Sequence, residues 1–312
     1  MHRILAAIIY RLLYFFSLMP LRLHYLFSDI FSFMLKYVIR YRRGVIYDNL
    51  SKCFPGETEK EYSAIISDFY DYISDVFVET VWQISASDRA ISKIVRQGGD
   101  GLIDDLIMRY DKVLMVTGHL GNWELISSIC GENRLRTPKN FSSNAIYLCY
   151  KRLESELSDL IFKKMRQSLY VKFHNQGSII ESHDIIRNVI KNRGAKSIYV
   201  LIADQSPLPG KRVVTKFLGR PTLMMSGPEY IASRMNIPVV YMGMKRERRG
   251  HYCLHYELIS ENPSAEKDFF VTRRYAQLLE RDIRENRYNW LWSHKRWKRE
   301  LTEIEWKEYA AL

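Results

Sequence analysis

A chain of 312 residues can build one large core or two modest ones, and needs no disulfide or metal staple to be stable. Apolar residues make up 47% and charged residues 26%, which argues against a wholly disordered chain and against a polytopic membrane protein. Lys and Arg number 47 against 35 Asp and Glu, and the formal excess of +12 sits in two segments, +6 in residues 1–43 and +6 in residues 273–299. Nucleic acid is the generic partner of such a charge, but the chain has no zinc-finger spacing, no RRM aromatic signature and no basic-region zipper, so none is expected. Cys53, Cys130, Cys149 and Cys253 are far apart, with no CxxC pair and no His at finger spacing. They read as reduced thiols of a cytosolic compartment, with no metal site.

At the N-terminus basic residues interrupt two apolar stretches, Ile4 to Met19 and Leu23 to Ile39, separated by Pro20. Basic residues mixed with aromatics suit an anionic membrane surface, where each cation contributes roughly 1 kcal/mol. A bilayer span needs about 20 residues, and every such window includes Arg11 or Arg22, costing about 2.5–3.5 kcal/mol if central. Nine Leu, Ile and Phe residues between Ile4 and Leu18 return about 0.3–0.6 kcal/mol each, so insertion roughly breaks even. Residues 1–43 therefore read as a membrane anchor, spanning or interfacial, with an amphipathic helix packed on its own domain as the alternative. Leu18-Met19-Pro20 offers no small-residue cleavage site for a signal peptide.

Residues 44–312 form the folded domain. Cys53-Phe54-Pro55-Gly56 is a turn signal. From Glu59 to Ile84 the pattern is helical, with Tyr62, Ile65, Ile66, Phe69, Tyr72, Ile73, Val76 and Phe77 on one stripe. Short β-rich runs follow at Val113–Thr117, Ala145–Cys149, Ser197–Ala203, Val213–Leu218, Pro238–Lys245 and His251–Ile259, the last two joined as a hairpin across Arg248-Arg249-Gly250. Helical stretches separate most of them. This is the signature of an α/β fold, a mixed central sheet flanked by helices on both faces and preceded by the anchoring helical segment.

The first of these runs ends in Gly118, and His119-Leu-Gly-Asn-Trp-Glu124 follows. On one continuous helix His119 and Glu124 would lie about 140° apart around the axis. If instead the strand ends at Gly118, His119 lies in the turn and Asn122 caps a helix starting near Trp123, the two converge at a strand's carboxyl end, where open α/β sheets bind ligands. Gly121 would let substrate approach the backbone. A neutral imidazole beside a carboxylate can take a proton from an acceptor hydroxyl, and the chain has no G-x-S-x-G nucleophile elbow. A packed or capping histidine is the competing reading. Asp204, at the end of another apolar run, is either a site carboxylate or a cap, with Gln205 beside it. Arg166 holds either a phosphate or an ion pair. His294 and the basic segment around it, with Trp290, Trp292 and Trp297, read as interfacial, and His174 and His183 as surface residues.

Several segments together resemble the lysophospholipid acyltransferase superfamily, and within it the lipid A biosynthesis lauroyl/myristoyl acyltransferases. Gly118-His119 to Glu124 resembles the HX4(D/E) box. Arg43, Asn49-Leu50 and Cys53-Phe54-Pro55 resemble the segment after the family's membrane anchor, and Tyr150-Lys151 through Asp159 and Arg166 its acceptor-binding block. Ala203-Asp204-Gln205 with Phe217-Leu218-Gly219, Ser226 to Glu229 with Pro238-Val239, and Trp290 to Trp297 resemble three further blocks. The family commonly has Arg where Lys151 stands and Asn where Ser155 stands; Lys lacks the bidentate fork, so a phosphate contact could pass to Arg152.

The resemblance implies an O-acyltransferase on the cytoplasmic face of a bacterial inner membrane. It would move a fatty acyl chain from acyl carrier protein or coenzyme A to a hydroxyl of a lipid A precursor, with no cofactor beyond that co-substrate. His119 would be the base, Glu124 and Asp204 would order it, and Lys151, Arg152 or Arg166 would hold anionic groups. A groove for the acyl chain is expected between helices and sheet. Two alternatives stand beside it: acylation of 1-acyl-glycerophosphate, and a non-catalytic protein binding lipid through its two basic ends.

Overall fold

All six apolar runs expected as strands form strands in the computed structural model, which describes residues 2–98, 101–130, 146–172, 178–207, 210 and 212–312. They are β2 (Lys112–Thr117), β3 (Ile146–Tyr150), β5 (Ser197–Ile202), β6 (Arg212–Phe217), β8 (Val239–Arg248) and β9 (His251–Ser260). Three strands went unanticipated: β1 (Val95–Gln97) and β4 (Ile179–Glu181), which are only three residues long, and β7 (Arg220–Met225), whose Pro221 argues against a strand. His174 lies outside the described residues.

The central sheet has seven strands in the order β1-β9-β8-β2-β5-β3-β4. From β8 to β4 all neighbours are parallel; β9 turns back on β8 as the expected hairpin, and β1 lies parallel to β9. β6 and β7 form a separate antiparallel ribbon around Leu218-Gly219. Residues of β2 alternate between two cores, which is why the strand reads as one continuous apolar run. Leu114 and Val116 pack with α4 (Glu59–Trp82), α9 (Gly227–Met235) and α10 (Phe270–Glu285). Val113 and Met115 pack with α5 (Asp88–Ile94) and α6 (Leu102–Tyr110). Helices thus cover both faces.

Ahead of the sheet stand α1 (His2–Ser17), α2 (Leu21–Phe33, prolonged by a π-turn over Met34–Val38) and α3 (Arg43–Cys53). α1 packs on α7 (Glu156–Lys172), and α2 on α4. Among the described residues no single helix is long and apolar enough to cross a membrane, and α1 and α2 are bent by 116° from each other. α2 is an inverted amphipathic helix. Its polar stripe faces the protein, where Tyr25 Oη, Ser28 Oγ and Ser32 Oγ donate to Glu79, Asp75 and Asp71 of α4 at 2.7, 2.6 and 2.6 Å. Leu26, Ile30 and Phe33 point away from it, each more than half exposed.

The C-terminal tryptophans differ from the interfacial role expected of them. Trp290 and Trp292 are buried, and their indole N–H groups donate to Asp204 Oδ2 and to the Arg287 carbonyl. Asn49 of α3 anchors this segment, donating to the carbonyls of Trp292 and His294 at 2.8 and 3.0 Å. Aromatic density here serves the core, because a closing segment must bury large side chains whose N–H groups find partners.

Candidate active site

Sheet register builds the site. β2 and β5 run parallel with Thr117 opposite Ile202, so His119 and Asp204, each two residues further on, emerge side by side at the carboxyl edge. The imidazole Nδ1–H donates to Asp204 Oδ1 at 2.6 Å, and the His119 backbone N–H to Oδ2 at 2.7 Å. Trp290 Nε1–H completes the set at 2.8 Å, brought there by the bridge between Leu120 and Trp290 and by the Gly121 N–H bonded to the Asn289 carbonyl at 3.1 Å. Burial pushes the Asp204 carboxyl up, but the His119 charge and hydrogen bonds, with the Trp290 indole, outweigh it and hold it down at about 2. An ionised Asp204 fixes the proton on Nδ1 and leaves Nε2 as the acceptor. Gln205 Nε2 lies 3.3 Å from that nitrogen, and Trp123 packs edge-on against the ring at 5.2 Å. The His119 side chain is 15% exposed, Asp204 2%.

The contact expected between His119 and Glu124 is not among the hydrogen bonds of the described residues. Glu124 sits in a 3-10 helix, Trp123–Cys130, that turns its carboxylate toward α7. There Arg166 binds it in a fork, Nε to Oε2 at 3.0 Å and the terminal nitrogen to Oε1 at 2.6 Å. Arg166 is thus in an ion pair, neither solvated nor within one helix. Arg152 lies 3.6 Å from Asp159, and Lys151 is exposed at the end of β3.

Gly121 and Asn122 face inward, not toward a ligand. Gly121 has φ +60°, and a Cβ there would meet the Met244 carbonyl and Cγ at 2.7 Å, so the close approach is by β8. Asn122 does not cap with its side chain; it is buried and donates to Glu79 Oε2 at 2.7 Å. His183 is exposed, and burial lowers His294 to about 4 despite the Asp204 charge.

Two contributors escaped sequence reading. One is Trp290. The other is Arg296, a buried guanidinium whose pKa is lowered by burial to about 10 against the pull of Asp204, and which donates to the Leu223 carbonyl at 2.6 Å. Both lie in a block whose basic, aromatic composition looks like surface. A cleft of about 700 Å³ lined by Lys216, Arg273, Gln277, Arg281 and Arg284 contains neither His119 nor Asp204, and its basic rim does not match the expected acyl groove.

A buried carboxylate steering an imidazole at the edge of a parallel sheet is equipment for proton abstraction from a hydroxyl. The model of the bacterial lipid A biosynthesis acyltransferases matches residues 2–299. The chain belongs to this family. No curated protein matches it. It is accordingly an acyltransferase acting on a lipid A-type substrate. In this acyltransferase the matched region spans both the N-terminal helices and the site at the carboxyl edge.

Proposed function

We propose that the protein transfers a fatty acyl chain from an acyl carrier protein or coenzyme A thioester to a hydroxyl of a lipid A precursor, at the cytoplasmic face of the bacterial inner membrane. His119 Nε2 takes the hydroxyl proton as the oxygen attacks the thioester carbonyl. The new C–O bond forms, the C–S bond breaks, and the imidazolium returns the proton to the departing thiolate. Asp204, rather than Glu124, orders the ring and stabilises its charged form. Glu124 and Arg166 stabilise the wall beside it as an ion pair, leaving exposed Lys151, Arg152 beside Asp159 and Gln205 beside the imidazole as the groups that meet anionic or polar parts of the substrates. No cofactor beyond the thioester is required.

The observation that carries this reading is the pairing of His119 Nδ1 with Asp204, which leaves Nε2 as acceptor on a partly open ring. The inverted helix α2 supports a membrane seat: its outward Leu26, Ile30 and Phe33 need an apolar neighbour, and the bend after α1 favours lying in the interface over spanning. His119→Ala, checked for folding by thermal melt, should lose at least about 100-fold in turnover with acyl carrier protein thioester and lipid A precursor. Near wild-type transfer rejects the mechanism. Offering 1-acyl-glycerophosphate beside the glycolipid with one labelled donor separates the two acceptor classes.

A further inference from the structure

Glu79 of α4 is fully buried and has no part in the chemistry above, yet donors from three separate parts of the fold converge on its carboxylate. Oε1 accepts the Tyr25 hydroxyl of α2 at 2.7 Å. Oε2 accepts the Tyr252 hydroxyl of β9 at 2.7 Å and the Asn122 amide at 2.7 Å. Burial pushes the carboxyl up, and these three donors oppose it. Asn122 stands three residues after His119, and its Oδ1 has no hydrogen-bond partner among the described residues, so Glu79 is what holds its side chain. Two turns earlier on the same helix, Tyr72 donates to the Gly121 carbonyl at 2.6 Å and packs edge-on against Trp123, which packs against His119. One face of α4 therefore grips residues 121–123 by main chain, amide and ring. The same helix holds α2 through the ladder Ser32–Asp71, Ser28–Asp75 and Tyr25–Glu79, and only the last rung touches both partners.

We propose that Glu79 is a positioning residue that couples the seating of α2 on the protein to the order of the loop carrying His119. If α2 lifts, Oε1 loses its donor, a buried carboxylate is left partly unsatisfied, and the group reorients at the expense of its bond to Asn122. The loop then loses its side-chain tether. Only the turnover part of the test rests on the acyl-transfer reading.

The test is hydrogen exchange by mass spectrometry over residues 118–126 of the full chain, with turnover measured in parallel, for Glu79→Gln, Tyr25→Phe and Asp71→Asn. Glutamine places an NH2 against the Asn122 or tyrosine donors, and a lost charged hydrogen bond corresponds to roughly tenfold in exchange. Glu79→Gln should speed exchange of the loop by about tenfold or more, and Tyr25→Phe should act in the same direction but less, with β2 and β5 unchanged. Asp71→Asn removes the rung farthest from Glu79 while Ser28–Asp75 and Tyr25–Glu79 keep α2 seated over the loop, so loop exchange and turnover should stay at wild-type values. In turnover, Glu79→Gln should lower kcat about tenfold with acceptor KM within about twofold. Wild-type loop exchange in Glu79→Gln, or equal acceleration in Asp71→Asn, overturns the proposal. Should Glu79→Gln fail to fold, wild-type loop exchange in Tyr25→Phe overturns it instead. A wild-type chain that consumes no acyl thioester defeats the reaction reading, while the exchange measurement still decides the coupling.

Discussion

At Asp204 both carboxylate oxygens are committed, Oδ1 to the imidazole and Oδ2 to the His119 backbone and the Trp290 indole. Asp204→Asn keeps the shape but offers an amide in place of an acceptor, so the ring is driven toward the tautomer with its proton on Nε2. Turnover should fall by about 10²–10⁴-fold, read as kcat with acceptor KM little changed. Stability carries the same signature. A carboxyl held at about 2, below its ordinary 3.8, stabilises the fold above the ordinary value and loses that contribution as pH falls toward 2. Denaturant melts should therefore show the gap between wild type and Asp204→Asn narrowing by roughly 1 kcal/mol from pH 7 to pH 3. The Arg166–Glu124 pair behaves differently, since both side chains are under a fifth exposed. Arg166→Ala strands a nearly buried carboxylate and should cost about 3 kcal/mol, while Arg166→Met with Glu124→Gln should cost less, a difference measurable by the same melts.

Elements turn these residues into a site, and the loop after β2 depends on a glycine held for packing. Gly121→Ala combines a left-handed backbone with a collision against the main-chain carbonyl of Met244, which cannot swing away as a side chain could. It should destabilise by about 2 kcal/mol or more, seen as a lower denaturation midpoint at unchanged slope. This dependence was hidden in the sequence, where a glycine beside a candidate base reads as room for substrate. The strands were legible because six apolar runs of five or more residues are each bounded by turn signals. The stripe on α4 was equally clear, and Tyr62, Ile66, Phe69, Tyr72 and Val76 are all buried. What periodicity could not show was the partner of the imidazole. Asp204 is 85 residues from His119, and their contact follows from which strands are neighbours and in what register, information that resides in no local window. Glu124 was the tempting partner because it was near in sequence, but the 3-10 turn carries it to Arg166. Trp290 was misjudged for a similar reason: Arg and Lys around it describe the surface of its segment, while the indole points to the core.

Over the whole molecule, α2 and the candidate site lie at the same end of the sheet. β8 runs parallel to β2, and its hairpin tip at Gly250 meets the ring of Tyr25 on α2, so α2 borders the edge where β2 and β5 deliver His119 and Asp204. On the membrane seat proposed above for α2, the contact that holds the protein on the lipid layer would also set the height of the imidazole above it. The inversion of α2 gives the idea a sharp test. Leu26 is 59% and Ile30 63% exposed, so replacing both with Glu removes apolar area from the outward face while leaving the ladder to α4 intact. Burial of each side chain in a bilayer is worth about 1.5–3 kcal/mol, so partition onto anionic vesicles should fall by about 100-fold or more for the pair. The melting midpoint should stay within about 2 °C, since surface changes of this kind move stability by only a few tenths of a kcal/mol. A soluble short-chain acceptor should still be acylated at the wild-type rate by the double variant, whereas transfer to vesicle-borne acceptor should drop with binding. Unchanged vesicle partition would mean that the outward face of α2 serves some apolar neighbour other than lipid.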